Sequence, residues 1–286
     1  MHRSVERFSF VRCRGCELVY LNPRVALDRL DGYYDASYLP HRGAEAWGRW
    51  AKYAREGERR TDRTRVRWAR KAVRLGMSTA VLDVGCGRPT FLEALVDRTG
   101  TRGVGVDAHD GGWSREPERW RMAGLDLRLG TIQTADLEGP FDLVCMWHTL
   151  EHDYQPLDTL RRLHDLTRPG GALLVEVPNY ESWTRRLHGS SWAGFHTPRH
   201  TMVFTPLTLR SLLERAGWKV ERQVSYGTMD PYVLWWLGRQ EIKGRFLDGN
   251  LEGVFPRFMA GKVLTLPITA LQRWLSLGVQ IAVARR

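Results

Sequence analysis

The chain has few cysteines and no targeting segment at its start. It contains four cysteines, Cys13, Cys16, Cys86 and Cys145, which are too few and too scattered for a disulfide framework. No charged stretch followed by an apolar run and a small-residue cleavage site opens the sequence, as a secretory leader would. We therefore expect a reducing, cytoplasmic location.

Long uncharged hydrophobic runs are also missing. The most apolar stretch, residues 226–276, is interrupted by Arg257, Lys262, Gln272 and Arg273, so we do not expect it to span a membrane. Packing against the core is the favoured interpretation of this insertion. Peripheral contact with a membrane surface, or with a lipid-like acceptor, stays open as an alternative.

Acidic residues are outnumbered by basic ones. The chain has 43 Lys and Arg against 32 Asp and Glu, a net charge of +11, and basic residues cluster with helical spacing from Arg49 to Arg74. We interpret most of this charge as a solvated surface, while an anionic substrate or membrane surface stays open. No RNA-binding aromatic motif is present, so we expect no nucleic-acid partner.

The most informative stretch of the chain is Val81–Gly87. An apolar run ends in Asp83 and then turns on Gly85 and Gly87, and a segment with helical character follows. This order predicts a strand, a tight turn and a helix, as at the start of a nucleotide-binding α/β unit. No Gly-Lys-Ser/Thr sequence follows the glycines, so the turn suits a nucleoside better than a polyphosphate.

A second predicted strand, Gly103–Asp107, supports this interpretation. Asp107 follows Asp83 by 24 residues, the separation expected when a βαβ unit presents an acid at its next strand end. A carboxylate at that position can accept hydrogen bonds from both hydroxyls of a ribose. The alternative is a glycine turn with solvated acids at two strand ends.

With these motifs the chain resembles class I S-adenosylmethionine-dependent methyltransferases. The resemblance continues through residues 141–152 and 166–179, which correspond to the fourth strand with its cofactor-facing loop and to a Pro-Gly-Gly turn with the fifth strand. It implies that S-adenosylmethionine is the cofactor. The implied cofactor-binding residues are Asp83, Gly85, Cys86, Gly87, Asp107, Ala108, Thr131, Ile132, Trp147 and His148.

Two positions depart from the family pattern. Pro89 stands where relatives often have a third glycine, and proline is acceptable in the first turn of a helix. Thr131 stands where many relatives carry an acid that contacts the adenine amino group. A threonine hydroxyl replaces that acceptor only in part.

The expected fold is α/β, with a Rossmann-like, doubly wound sheet. Strands are predicted near 80–84, 102–107, 126–130, 141–146, 171–177, 218–224 and 278–284. The last strand is antiparallel by resemblance, and the others are parallel. Residues 1–78 are expected to form a degenerate zinc-ribbon-like segment and a basic helical cap. Residues 79–286 are expected to form the methyltransferase domain, with the insertion at 226–276 before the last strand.

The pair Cys13 and Cys16 has zinc-knuckle spacing and resembles the N-terminal zinc ribbon of some methyltransferases. A structural zinc site needs four ligands, and only the distant His2 and His41 could supplement the pair. We therefore predict a degenerate ribbon that holds no metal.

Two histidine groups are candidates for acid–base chemistry. His148, Glu151 and His152 follow the fourth strand, and His196 and His200 follow the fifth. Methyl transfer to oxygen needs a base near neutral pH, which suits histidine, so we assign the catalytic role to His152 or His200, with His196 as a further candidate. The first group could also brace a helix or bind a divalent metal, as in similar quinone O-methyltransferases.

Residues 178–205 and the insertion are expected to shape the acceptor pocket, with Trp183 and Trp192 either in its wall or in ordinary packing. The sequence thus predicts a small-molecule methyltransferase acting at oxygen. Two alternatives stay open. One is a C-methyltransferase that acts on a sugar nucleotide, and the other is a catalytically silent cofactor-binding or scaffold protein.

Overall fold

A seven-stranded sheet forms the centre of the molecule. The computed structural model describes residues 7–34, 43–243 and 250–286. Within them the strands are β1 (Phe10–Arg12), β2 (Val19–Leu21), β3 (Ala80–Val84), β4 (Arg102–Asp107), β5 (Asp126–Leu129), β6 (Phe141–Trp147), β7 (Thr167–Pro178), β8 (Met202–Val203), β9 (Lys219–Val224) and β10 (Val279–Arg285). The central sheet has the order β5-β4-β3-β6-β7-β10-β9.

The pairing of these strands confirms the predicted topology. The neighbours β3–β4, β4–β5, β3–β6 and β6–β7 are parallel, whereas β10 runs antiparallel to both β7 and β9. The carboxyl ends of β3, β4 and β6 therefore meet at one edge of the sheet, where open α/β folds bind ligands. Strand β7 begins four residues earlier than residue 171, the predicted start.

Helices cover both faces of this sheet. They are α1 (Leu27–Leu30), α2 (Ala51–Ala72), α3 (Thr90–Thr99), α4 (Pro117–Met122), α5 (Pro156–Leu166), α6 (Trp183–His188), α7 (Pro206–Arg215), α8 (Pro231–Ile242), α9 (Phe255–Leu264) and α10 (Leu266–Ala270). Leu92 of α3 and Val66 of α2 belong to one core cluster. Leu163 of α5 and Leu213 of α7 belong to the other. Each sheet face thus buries its own apolar layer, which is the main stabilising term of such folds.

The N-terminal segment is joined to the rest of the chain by a small second sheet. Strand β2 pairs antiparallel with β1 and with β8, so Val19 lies opposite Val203. Cys16 is exposed and Cys13 is partly exposed, while His2 and His41 lie outside the described residues. That this segment holds no metal stays a prediction.

The basic helical cap expected within residues 1–78 consists of a 3-10 segment, Gly43–Trp50, followed by α2. Several of its arginines are paired within the molecule. Arg55 contacts Glu45 at 2.5 Å, and Arg63 contacts Glu56 at 2.6 Å. Much of the local positive charge is therefore compensated, as expected of a solvated face.

The insertion before β10 is helical and contains α8, α9 and α10. Its aromatic residues pack together, with Phe258 between Tyr232 and Trp236 at ring-centre distances of 5.2 and 5.1 Å. Among the described residues no single helix has the length and apolarity to cross a membrane. One bent pair, Glu252–Leu264 with Leu266–Arg273, meets both criteria together and turns by 58° at its break.

Candidate active site

A cavity of about 1370 Å³ opens at the carboxyl ends of β3, β4 and β6. It brings together most of the residues that the sequence singled out. Those that line it are Gly85, Cys86, Gly87, Asp107, Ala108, Thr131, Ile132, Trp147, His148, His152, His196 and His200. Their roles stay predictions, but the fold places them around one space.

The turn after β3 requires glycine for two separate reasons. Gly85 and Gly87 have φ angles of +69° and +48°, in the left-handed region that side chains disfavour. A Cβ at Gly85 would also collide with the side chain of Thr149, whose hydroxyl donates to the carbonyl of Val84 at 2.8 Å. The loops after β3 and β6 thus meet closely at the cavity floor.

Asp107 is held by backbone amides at the end of β4. Its Oδ2 accepts from the amide of Gly87 at 2.9 Å and its Oδ1 accepts from the amide of His109 at 3.0 Å. Each carboxylate oxygen keeps a further lone pair. The carboxylate is therefore orientated in advance to accept two hydrogen bonds from a vicinal diol.

Asp83 differs from the other predicted cofactor residues because it is buried and does not line the cavity. Its Oδ1 makes no hydrogen bond within the described residues. Burial raises the pKa of Asp83 to about 8. The positive charge of Arg65 lowers this pKa in part, whereas the negative charge of Asp107 raises it further. Its predicted contact with the cofactor would therefore have to be indirect.

Arg65 is a cavity residue that sequence reasoning missed. It projects from α2 into the cavity, where its guanidinium lies 5.2 Å from the ring centre of Trp147. Its Nε donates to the hydroxyl of Thr228 at 3.4 Å. The helical spacing could have indicated this position, because Arg65 lies beside the apolar residues Val66 and Ala69, which are buried.

His148 lies between two buried carboxylates. Its Nδ1 is 3.2 Å from Glu151 Oε1 and its Nε2 is 3.1 Å from Glu176 Oε1. Burial disfavours the imidazolium, but the hydrogen bonds and negative charges of the two glutamates raise the pKa of His148 to about 9. The residue also has a φ of +57°, unusual for a side-chain-bearing residue. His148 is therefore a fixed positive charge at neutral pH.

Glu176 fixes the start of the insertion to the end of β7, and sequence reasoning missed it too. It accepts from the amides of Thr228 and Met229, at 3.0 and 3.1 Å, and from the Thr228 hydroxyl at 2.8 Å. Burial alone would raise the pKa of Glu176. The hydrogen bond and positive charge of His148 lower it instead, to about 2, and the charge of Arg65 and the hydrogen bond from Thr228 act in the same direction.

The three candidate catalytic histidines form a cluster. The ring centre of His200 lies 4.5 Å from that of His152 and 5.0 Å from that of His196. Burial first, and then neighbouring positive groups, lower the pKa of His200 to about 3 and that of His196 well below its usual range. Burial also lowers the pKa of His152, although the charge of Glu151 opposes it. The cluster is neutral at pH 7.

Hydrogen bonds orientate two of these rings. His200 Nδ1 donates to the carbonyl of Gly194 at 2.7 Å. His152 Nδ1 lies 3.2 Å from the carbonyl of Arg199 and 2.9 Å from the hydroxyl of Tyr34. Because a carbonyl only accepts, His200 carries its proton on Nδ1, and the Arg199 carbonyl favours the same tautomer of His152, which leaves a lone pair on Nε2. Tyr34, from the N-terminal segment, is a third residue that the sequence did not reveal.

Glu151, His152 and His200 also have the geometry to hold a divalent cation. One potential ligand atom from each lies within 4.8 Å of the others, and Glu151 Oε2 is buried without a hydrogen bond in the described part of the chain. The sequence-based alternative named His148 as the third ligand. The structure places His200 there instead, because both nitrogens of His148 are engaged by glutamates.

Apolar side chains form part of the remaining wall. Trp192 and Phe195 come from the segment after β7, and Val233, Leu234 and Leu237 come from α8. Residues of 178–205 and of the insertion thus do line the cavity, together with Leu27, Leu30 and Trp47 of the N-terminal segment. Of the two interpretations left open for Trp183, the wall is wrong: the residue does not line the cavity and is 49% exposed.

Comparisons with known proteins identify the family of the chain. The family model described as "Methyltransferase domain" matches residues 50–223, more than half of the chain. The chain is 32% identical over 146 residues to a ubiquinone biosynthesis O-methyltransferase of Ruegeria pomeroyi, covering 48% of this chain and 58% of the relative. It is 33% identical over 122 residues to the protein of the same name from Azotobacter vinelandii, covering 40% and 50%. The chain thus spans about half the length of the curated relatives it matches.

Solved structures share the fold at low sequence identity. A phosphoethanolamine N-methyltransferase of Haemonchus contortus in complex with S-adenosyl-L-methionine superposes with a TM-score of 0.56 at 16% identity, covering 94% of this chain and 61% of that one. A cyclopropane synthase of Mycobacterium tuberculosis superposes with a TM-score of 0.54 at 16% identity, covering 78% and 83%. At this identity the likeness establishes the fold alone.

Proposed function

The chain belongs to the methyltransferase domain family, and from this premise we propose that it transfers the methyl group of S-adenosylmethionine to a hydroxyl of a small, largely apolar acceptor. The family match supports the cofactor and the reaction class. The cavity supports two ligands side by side, because its volume of about 1370 Å³ exceeds the roughly 300–1000 Å³ typical of a site for one ligand.

The residues at the ends of β3 and β4 suit the nucleoside part of the cofactor. Asp107 offers two orientated acceptors to the ribose hydroxyls, and the turn at Gly85 and Gly87 leaves room for close approach of a ligand. Arg65 offers a guanidinium that could pair with the cofactor's carboxylate. When bound, the cofactor supplies an activated methyl group, so the protein must align the acceptor and accept its proton.

His152 is the residue that we assign as the base. Its proton on Nδ1 leaves Nε2 free to accept one, and it is less buried than His200. The pKa of His200, at about 3, makes that residue a weak base, so we assign it a positioning role beside His152. The observation that carries the proposal is the presence of this neutral, orientated histidine pair in the same cavity as Asp107.

The acceptor class is supported by the wall and by the relatives. Trp192, Phe195 and the leucines of α8 give the acceptor side an apolar, partly aromatic lining, which suits an aromatic ring. The curated relatives are named as ubiquinone biosynthesis O-methyltransferases. Both observations favour an aromatic hydroxyl over a sugar nucleotide.

The proposal is tested by methyl transfer from isotopically labelled S-adenosylmethionine to a panel of acceptors. The panel contains catechols, reduced quinones with short isoprenoid tails, and sugar nucleotides, and product analysis assigns the methylated atom. We expect O-methylated aromatic products. A C-methylated sugar nucleotide would contradict the proposed acceptor, and cofactor binding without turnover on any acceptor would favour the silent alternative.

A further inference from the structure

The segment from Val263 to Trp274 exposes six large apolar side chains within twelve residues. It comprises the end of α9, all of α10 and the 3-10 turn Leu271–Arg273, and neither α10 nor that turn contains a buried residue. We call the large exposed side chains of this segment the apolar patch. They are Val263, Leu264, Leu266, Ile268, Leu271 and Trp274, which are 46–80% exposed.

Core packing does not account for this patch. The aromatic residues that hold the insertion together, Phe255 and Phe258, lie earlier on α9 and are buried. Helix α10 follows them and presents Leu266 and Ile268 outwards, at 52% and 55% exposure. A contiguous exposed apolar surface of this kind marks an interaction site rather than ordinary surface.

The charge around the patch indicates what it contacts. No Asp or Glu occurs from Gly253 to Arg286, whereas Arg257, Lys262 and Arg273 occur within or beside the patch. Of the two basic residues closest in the chain, Lys262 pairs with Asp230 at 2.8 Å, and Arg273 is exposed beside Trp274. Apolar helices with tryptophan and basic residues and without acids suit the headgroup region of an anionic bilayer.

A neighbouring helix extends the same surface. The amide of Trp183 donates to the carbonyl of Ser276 at 2.8 Å, which places α6 next to the patch. Trp183 and Leu187 of α6 are 49% and 68% exposed, and the guanidinium of Arg186 lies 5.4 Å from the Trp183 ring centre. This surface thus also presents a tryptophan and an arginine together, as do the sequence neighbours Arg273 and Trp274.

We propose that the apolar patch and α6 dock the protein on the surface of an anionic bilayer. Helices α9 and α10 are short and bent by 58°, which suits helices that lie in the interface with their apolar side chains in the acyl boundary. The same insertion lines the cavity through α8, so a docked protein would hold that wall next to the lipid. The inference does not depend on the proposed reaction, since docking needs neither cofactor nor acceptor.

Vesicle flotation tests the proposal with the full chain. Vesicles of phosphatidylcholine alone are compared with vesicles that also contain phosphatidylglycerol, at low and high salt. We expect flotation with the phosphatidylglycerol vesicles, weakened by salt. The double variant Leu266→Glu with Ile268→Glu should reduce partitioning by roughly tenfold or more, because each change removes an apolar anchor and adds a negative charge.

The matched control is Met122→Glu, which introduces the same charge at an apolar residue that is 87% exposed on α4. It should float like the parent protein. Flotation of the double variant equal to that of the parent, an equal loss in the control, or no flotation with either vesicle would overturn the proposal. A dimer in solution that the double variant dissociates, without flotation of the parent, would instead assign the patch to a second copy.

A measurement on the unaltered protein keeps the test independent of variant folding. Hydrogen exchange of residues 263–274 is followed with and without the phosphatidylglycerol vesicles. Docking should slow exchange in this segment and in α6, and should leave α4 unchanged. Unaltered exchange in both segments at saturating vesicle concentration would contradict docking through this surface.

Discussion

The cavity has two halves that are built in different ways. The cofactor half comes from short, local motifs: the turn at Gly85 and Gly87, and the acid Asp107 with the amide of His109. The acceptor half is assembled from distant parts of the chain, since Tyr34 contacts His152 across 118 positions and α8 adds the apolar wall. Under the proposed assignment, the ribose end of the cofactor contacts residues from local motifs, whereas the acceptor side depends on long-range packing.

The largest effect that separates the two halves is expected from His152→Gln. Removing the proposed base should lower the turnover of the hydroxyl acceptor by roughly 100-fold or more. Because the pKa of His152 is lowered, the parent enzyme should keep its rate from alkaline pH down through neutrality and lose it only in acid. Steady-state rates across this range, with His164→Gln on α5 as a control outside the cavity, measure the effect. Near-normal turnover of His152→Gln would remove this residue from the chemistry.

Within the cofactor half, Gly85→Ala should destabilise the fold by about 2 kcal/mol or more. The left-handed backbone alone costs roughly 1–2 kcal/mol for a residue with a Cβ, and the new methyl group would meet Thr149. Gly87→Ala is the matched comparison, because its φ is also positive but no atom lies within 4 Å of the added Cβ. Denaturant unfolding should show the larger loss at Gly85. Equal losses would show that the contact with Thr149 does not constrain the turn.

The accuracy of the sequence-based predictions also differs between the two halves of the cavity. The positions of the seven strands were predictable because most strands and turns have a local signature, from Asp83 to the Pro-Gly-Gly turn of β7, and the antiparallel last strand followed from the family resemblance. Arg65, Tyr34 and Glu176 were not, because their importance comes from partners far away in the chain. Whether Trp183 and Trp192 line the wall or take part in ordinary packing could not be decided from the sequence: Trp192 is buried and lines the cavity, whereas Trp183 is exposed and does not.

His148 lies where the two halves of the cavity meet, and it should make the stability of the protein depend on pH. Glu151 and Glu176 face its ring, with Arg65 and His200 nearby, and its pKa is raised to about 9. A raised pKa contributes stability that is complete below about pH 6.5 and is lost as pH rises through 9. The free energy of unfolding should fall over this window by on the order of 2 kcal/mol.

The variant His148→Gln isolates this contribution. It should be less stable than the parent at pH 6 and should show a flatter profile between pH 6.5 and 9. Unfolding by denaturant at several pH values measures both. A profile of the variant that falls as steeply as that of the parent would assign the pH dependence to other groups.

The smallest expected effect is at Thr131, where the resemblance places the adenine amino group. The side chain is exposed and its hydroxyl contacts that of Thr134 at 3.1 Å. Thr131→Asp should restore a stronger acceptor and tighten cofactor binding by about fivefold, the equivalent of one added hydrogen bond of about 1 kcal/mol. Thr134→Asp serves as the control. Weaker binding by Thr131→Asp would show that the adenine does not reach this position.

The separation of the two halves is tested most directly by calorimetric binding of S-adenosylhomocysteine to the parent, Asp107→Ala and His152→Gln. Backbone amides orientate both oxygens of Asp107, and if these accept from the ribose as proposed, the loss of the carboxylate should weaken binding by roughly 1–3 kcal/mol. His152→Gln should bind like the parent, since its partners are Tyr34 and Arg199 on the acceptor side. Unchanged affinity of a folded Asp107→Ala protein, or an equal loss in both variants, would contradict the division of the cavity described above.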